Sequence, residues 1–261
     1  MVLVDSHAHL DMDELYGQLD QVLDRAKATE VRWIVTIGID ISSSQKAISM
    51  ASKHPMIYAT VGIHPHNAKE AKEDTYSTLR ELASLPKVVA LGEIGLDFFK
   101  EYSPKALQIK VFEKQLEISR ELNLPIVIHE RAAQKEVFSM LESLGSKERQ
   151  GVIHCFSGDY KLAMKYIQLG YMISIPGIVT FKKAETLKDV ARRIPIESLL
   201  LETDAPFLTP EPFRGKPNEP SMVIWTAKEI ARLRGITLEE LAWETTKNAR
   251  RLFGIGKELT I

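Results

Sequence analysis

The stretch VDSHAHLD, residues 4–11, places two histidines two positions apart behind a run of apolar β-formers, with an aspartate on either side. On a strand, residues i and i+2 project to the same face, so His7 and His9 point into one space. Two imidazoles on one face are a metal-binding arrangement. A pair of hydrogen-bonded histidines at a strand end has the same local sequence, so the remainder of the chain separates the two readings.

Outward from that stretch the same pattern recurs. Short β-branched or apolar runs alternate with amphipathic helical stretches: VLV before His7, then WIVTIGI (33–39), IYATVGI (57–63), VVALGEIGL (88–96), PIVIH (125–129), GVIHCF (151–156), YMISIPG (171–177) and LLLET (199–203). Between them, LYGQLDQVLDRAKA, ALQIKVFEKQLEISREL and KEVFSMLESL repeat their apolar residues at three- and four-residue intervals, the period of a helix with one buried face. Runs that are apolar throughout suit strands covered on both faces. Eight βα units in a chain of 261 residues predict an α/β fold, a (β/α)8 TIM barrel, regular or distorted, with a doubly wound open sheet as the alternative. No linker or composition shift divides the chain, which predicts a single domain over 1–261 with extra C-terminal helices from about 219 to 253.

A barrel demands that catalytic side chains sit at the C-terminal ends of its strands. His7 and His9 end the first run, His64 and His66 the third, and Glu93 interrupts the fourth. His129 ends the fifth, His154 lies in the sixth, and Asp204 follows the eighth. Six of the seven histidines therefore fall at one rim, and only His54, before Pro55 at a helix end, reads as a surface residue.

Bulk composition narrows the function. With 44% hydrophobic and 26% charged residues the chain reads as an ordinary globular protein. Lys+Arg 34 against Asp+Glu 35 leaves a net charge of -1, so no global positive field recruits polyanions, and any nucleic-acid contact is local. The single cysteine, Cys155, excludes an internal disulfide and a CxxC site and suits a reducing, cytoplasmic compartment. It reads as a buried, inert small side chain. No apolar run reaches the roughly 18 residues that span a bilayer, no signal-peptide pattern opens the chain, and no segment calls for an obligate protein partner.

His7, His9, Glu93, His129, His154 and Asp204 form a donor set of nitrogen and oxygen without thiolates, which fits divalent ions such as Zn²⁺, Mn²⁺ or Mg²⁺. Six ligands exceed what one four-coordinate ion with an open position needs. Two ions sharing Glu93 would use them all and would clamp both oxygens of a hydrolytic displacement, with Asp204 placed to bind metal, orient water and accept its proton. A serine hydrolase lacks support, since no G-x-S-x-G elbow occurs and Ser157 reads as a loop hydroxyl.

The segments DSHAHLD, GIHPH, GEIGLDFF, VIHER, IHCFSG and ETDAPFLTPEPFRGKPNEP, in this order, resemble the TatD family of metal-dependent deoxyribonucleases, within the amidohydrolase-type TIM-barrel hydrolases. The resemblance runs from residue 4 into the C-terminal helices. It implies one metal held by His7, His9, Glu93 and Asp204 and a second held by Glu93, His129 and His154. It departs from the family at Ala132, where an acidic residue usually follows the arginine equivalent to Arg131.

The remaining rim residues are read as substrate and support groups. His64, placed with Glu93 and Asp204 among the catalytic residues, and His66 are assigned to phosphate or leaving-group contacts. Asp97 and Glu202 would orient ligand imidazoles or water. APFLTPEPFRGKPNEP, directly after Asp204, holds five of the 12 prolines and reads as a stiff loop over the pocket. Its Arg214 and Lys216, with Arg131, are the phosphate candidates, because guanidinium forks match phosphate oxygens. Phe98, Phe99, Phe207 and Phe213 are candidate base-stacking groups, while Lys182/Lys183 and Arg192/Arg193 read as solvated faces. The expectation is a two-metal exodeoxyribonuclease acting on single-stranded or 3' DNA ends. A metal-dependent hydrolase of small-molecule or aminoacyl esters and amides is the alternative.

Overall fold

The computed structural model describes residues 1–145 and 151–256. Strands β1 (Leu3–Ala8), β2 (Val31–Thr36), β3 (Ile57–Val61), β4 (Val88–Asp97), β5 (Ile126–Arg131), β6 (Gly151–Ile153), β7 (Tyr171–Ile175) and β8 (Leu199–Leu201) pair in parallel and in sequence order. Helices lie between successive strands, and Val223–Arg234 and Leu238–Phe253 follow β8. The sheet returns on itself just beyond β8. Ala8 bridges Ala205 in parallel, the Asp204 N–H donates to the His7 carbonyl at 2.9 Å, and the His9 N–H donates to the Ala205 carbonyl at 2.8 Å. The nearly closed TIM barrel is therefore the arrangement adopted, and the open sheet is not.

Strand side chains divide into two cores, as their alternation requires. One set, including Leu3, Ile34, Ile57, Leu91, Ile128 and Ile173, packs outward with the apolar stripes of the helices. The other, including Val4, Val35, Val127, Val152, Met172 and Leu200, fills the barrel interior. Leu252, Phe253 and Ile255 join this inner set, so the last helix closes the N-terminal end of the barrel. Asn248 fixes that closure by donating to the Leu199 carbonyl at 2.9 Å. Each fully buried Leu, Ile or Val of these cores contributes about 1.5–3 kcal/mol.

The polar end is shaped by irregularities in the strands. Leu91 of β4 pairs with Ile126 and Ile94 with Ile128, so three steps on β4 face two on β5. This bulge leaves Leu91 and Ile94 both in the outer core and turns Glu93 inward. Gly92 and Gly95 permit it: a Cβ at Gly92 would lie 2.6 Å from the Val127 side chain, and one at Gly95, where φ is +136°, would run into the His129 carbonyl. The short strands also differ from their sequence runs. β6 ends at Ile153, before His154, and β8 at Leu201, before Glu202. There the Cys155 N–H donates to the Glu202 carboxylate at 2.6 Å, so a side chain takes over from the ladder.

Candidate metal centre

The first cluster grows from the end of β1. Nε2 of His7 and Nε2 of His9 lie 3.4 Å apart, so their alternation does bring the two rings together. Glu93 Oε2 stands 3.5 Å from His7 and 3.8 Å from His9, and Asp204 Oδ1 stands 3.6 Å and 3.4 Å from the same two nitrogens. Tetrahedral coordination with bonds of about 2.0–2.1 Å has ligand-to-ligand edges of about 3.3–3.4 Å. The five edges, 3.4–3.8 Å, run from that figure to a few tenths of an ångström above it, and the nitrogen and oxygen donor set fits a divalent cation.

The second cluster surrounds the other oxygen of the same carboxylate. Oε1 of Glu93 lies 2.8 Å from His129 Nδ1, 3.4 Å from His154 Nε2 and 3.5 Å from His64 Nε2. Glu93 is buried, which opposes ionisation, but the imidazoles of His64 and His154 outweigh that and hold its carboxyl well below the ordinary range. His154 is also buried, yet Glu202 and Glu93 raise its pKa to about 10. A cavity that drives a buried imidazole to take up a proton is one that attracts positive charge.

His64 differs from its neighbours. Its Nδ1 accepts the backbone N–H of His66 at 3.1 Å, capping the short helix Pro65–Glu70. Burial lowers its pKa to about 4, so the ring is neutral near pH 7 and carries its one proton on Nε2. That makes Nε2 a donor aimed at the cluster and unsuited to hold a cation.

Carboxylates behind the imidazoles set their orientation. Asp97 Oδ2 meets His66 Nε2 at 2.9 Å and His129 Nε2 at 3.1 Å, while Oδ1 accepts the N–H groups of Phe99 and Lys100 at 3.0 and 2.9 Å. These bonds overcome its burial and depress its pKa. Glu202, wholly buried, meets His154 Nδ1 at 3.2 Å, which leaves His154 Nε2 facing Glu93. His66, expected to touch substrate, commits Nε2 to Asp97.

Asp5, which sequence reasoning noticed but gave no role, ties the two halves of the first cluster together. It accepts the Thr203 N–H at 2.9 Å, the Thr203 hydroxyl at 2.6 Å and the His7 N–H at 3.3 Å, and burial pushes its pKa up to about 8. Its place as the first residue of DSHAHLD was the available signal. Cys155, expected to be buried, is half-buried, and its thiol lies beside His154 and Asp204, where the chain turns with a φ of 47°. The thiol itself is withdrawn from water, and that desolvation, with the Asp204 and Glu202 carboxylates nearby, pushes its pKa well up, so it stays protonated.

The expected phosphate contacts stand outside the clusters. Arg131 is exposed with its guanidinium 4.2 Å from the centroid of the Phe99 ring. Arg214 is exposed, 3.8 Å from Glu211 and stacked on Phe181 at 4.3 Å, and Lys216 is exposed near Phe213. Phe213 packs edge-on to Trp225, whereas Phe207 is exposed with its ring centroid 6.1 Å from that of His9. Lys182, Lys183, Arg192 and Arg193 are exposed, and His54 is half-buried at the end of its helix.

A parallel barrel that gathers imidazoles and carboxylates at the C-terminal ends of its strands defines a metal-dependent hydrolase by fold and site together. Comparison with known proteins agrees: the family model described as TatD related DNase matches residues 4–254, and the chain belongs to that family. It is 43% identical over 255 residues to an uncharacterized metal-dependent hydrolase, YabD, of Bacillus subtilis, covering 98% of this chain and 100% of that one. It is 36% identical over 259 residues to a 3'-5' ssDNA/RNA exonuclease TatD of Erwinia tasmaniensis, covering 97% and 100%. The crystal structure of YJJV, a TATD homolog from Escherichia coli, superposes with a TM-score of 0.91 at 29% identity over 97% of this chain and 98% of that one. Among the described residues no helix is long and apolar enough to cross a membrane.

Proposed function

We propose that the chain is a two-metal phosphodiesterase that removes nucleotides from the ends of single-stranded DNA. The observation that carries this reading is the division of Glu93: Oε2 faces His7 and His9, the two imidazoles that Asp204 also approaches, while Oε1 faces His129 and His154. One carboxylate shared between two donor sets is what a pair of cations a few ångströms apart requires. Bound there, two divalent ions (Zn²⁺, Mn²⁺ or Mg²⁺) would supply Lewis-acid polarisation of a phosphate and a water acidic enough to ionise near neutral pH. Asp204, with its side chain at the more open edge of the first cluster, would orient a water and accept its proton. His64 donates from Nε2 to an oxygen on which negative charge develops. Asp97 and Glu202 keep the ligand nitrogens of His129 and His154 turned inward, and Arg131, Arg214 and Lys216 meet the phosphates of the strand.

The substrate is supported by the name of the Erwinia relative and by the shape of the site, since a barrel mouth admits a strand end more readily than a duplex interior. The test is incubation of purified protein and Mg²⁺, Mn²⁺ or Zn²⁺ with single- and double-stranded oligonucleotides labelled at either end, beside a panel of lactones and aminoacyl esters. Stepwise shortening of the single strand, lost in Glu93→Gln, is expected. Turnover of esters without any shortening of DNA would replace this reading with a small-molecule hydrolase.

A further inference from the structure

Two of the chain's most exposed aromatic rings stand beside the metal centre, on the segment that follows β4. Phe99 is 63% exposed and Tyr102 is 56% exposed. Exposed rings on a slack loop would mean little, but this loop is tightly held. Ser103, fully buried between them and the next helix, donates to the His66 carbonyl at 2.8 Å and accepts the Lys69 N–H at 3.0 Å. Gln108 donates to the carbonyls of Asp97 and Ser103, and Asp97 itself accepts the Phe99 and Lys100 N–H groups. The backbone is fixed, while the rings it carries point into water and bury little apolar surface. Their exposure does nothing for folding.

Cations are interleaved with the rings. Arg131 lies over Phe99 at 4.2 Å, and Lys100 lies 6.0 Å from the centroid of Phe99 and 5.9 Å from that of Tyr102. Tyr102 and His66 meet in a T-shaped contact with centroids 4.7 Å apart, and His66 shares Asp97 with His129, so the platform is linked to the second donor cluster through two side chains. Flat apolar faces with interspersed positive charge match unpaired bases joined by phosphates, because every base offers a π-face whatever its sequence.

We infer that Phe99 and Tyr102, with Arg131 and Lys100, form a stacking platform for unpaired bases of the strand beyond the nucleotide being removed. The inference rests on the exonuclease reading and adds to it a reason for single-strand preference: paired bases have no face free to stack. Arg131 then acts on two groups at once, covering one face of Phe99 and reaching the backbone phosphate between stacked bases.

The test uses the metal-loaded protein with a short oligothymidylate and with thymidine 5'-(p-nitrophenyl phosphate), which has no second base. Phe99→Ala and Tyr102→Ala are each expected to raise KM for the oligothymidylate about tenfold, roughly the worth of one base stack, with kcat near wild type. On the one-base substrate kcat/KM should move less than about twofold, and Trp243→Ala, an exposed aromatic on helix Leu238–Phe253, should change neither. Equal losses on both substrates, or no loss on the oligothymidylate, would overturn the platform. A Phe99→Trp variant gives a readout independent of turnover: its added fluorescence should be quenched by oligothymidylate and not by thymidine. If wild-type protein fails to shorten the oligothymidylate, the exonuclease reading falls, and absence of quenching would then sink the platform separately.

Discussion

Nδ1 of His64 accepts the backbone N–H of His66 at 3.1 Å, and this single bond decides what the other ring nitrogen can do. With Nδ1 occupied as an acceptor and the ring held neutral by burial, the proton resides on Nε2, 3.5 Å from Glu93. His64→Asn should preserve the cap, because an Asn side-chain oxygen accepts the same N–H, but lose the inward donor. We expect thermal stability and metal content near wild type and kcat lower by about 10²–10³-fold, the usual cost of removing a donor to a developing oxyanion. Loss of one metal equivalent in this variant, measured by elemental analysis, would show His64 to be a ligand instead.

Glu202 meets His154 Nδ1 and accepts the Cys155 N–H with its two oxygens. In Glu202→Gln one of those oxygens becomes an amide donor, so one partner is left facing the wrong group inside a buried site. Metal affinity should fall about 10–100-fold while the circular dichroism spectrum is kept. Titration with a competing chelator checks this, and unchanged affinity would mean that His154 needs no orienting carboxylate.

Ala132 holds a φ of 53° on the exposed turn between β5 and helix Gln134–Ser143, whose N-cap Ala133 makes no side-chain cap. A left-handed alanine is strained, aspartate tolerates that region better, and a negative charge near a helix N-terminus is favourable. Ala132→Asp, which restores the acidic residue usual after the Arg131 position in the family that the sequence resembles, should raise stability by about 1 kcal/mol. Denaturant unfolding measures it; a fall in stability would mean that the turn gains nothing from the charge.

Glu130 is buried beside the Tyr166 hydroxyl, which donates to its carboxylate, and burial raises its pKa from 4.5 to about 7. The folded chain therefore holds a proton that the unfolded chain releases, so the contribution of this group is full below about pH 4.5 and is lost as pH rises through 7. The loss amounts to about 3 kcal/mol by pH 8. Glu130→Gln, uncharged at every pH, should be more stable than wild type at pH 8 and show no such advantage at pH 4.5. Parallel unfolding curves for the two proteins across that range would dismiss the shift.

The sequence by itself determined the alternation of strands and helices, the rim at which the histidines gather, and the pairing of His7 with His9. Each follows from a local period: two for a strand face, between three and four for a helix stripe, and both survive whatever surrounds them. The tertiary structure alone decided whether the sheet closes, because closure depends on bonds between His7, Ala8 and His9 and residues nearly two hundred positions away. It also decided that Glu93 faces inward, since in VVALGEIGL both faces are apolar and no alternation marks the extra residue of the bulge. The proton on His64, His66 as a second imidazole on Asp97 and the tie from Asp5 to Thr203 were equally hidden. An imidazole or carboxyl takes its state from the nearest hydrogen-bonding partner, and those partners meet only when the barrel is assembled.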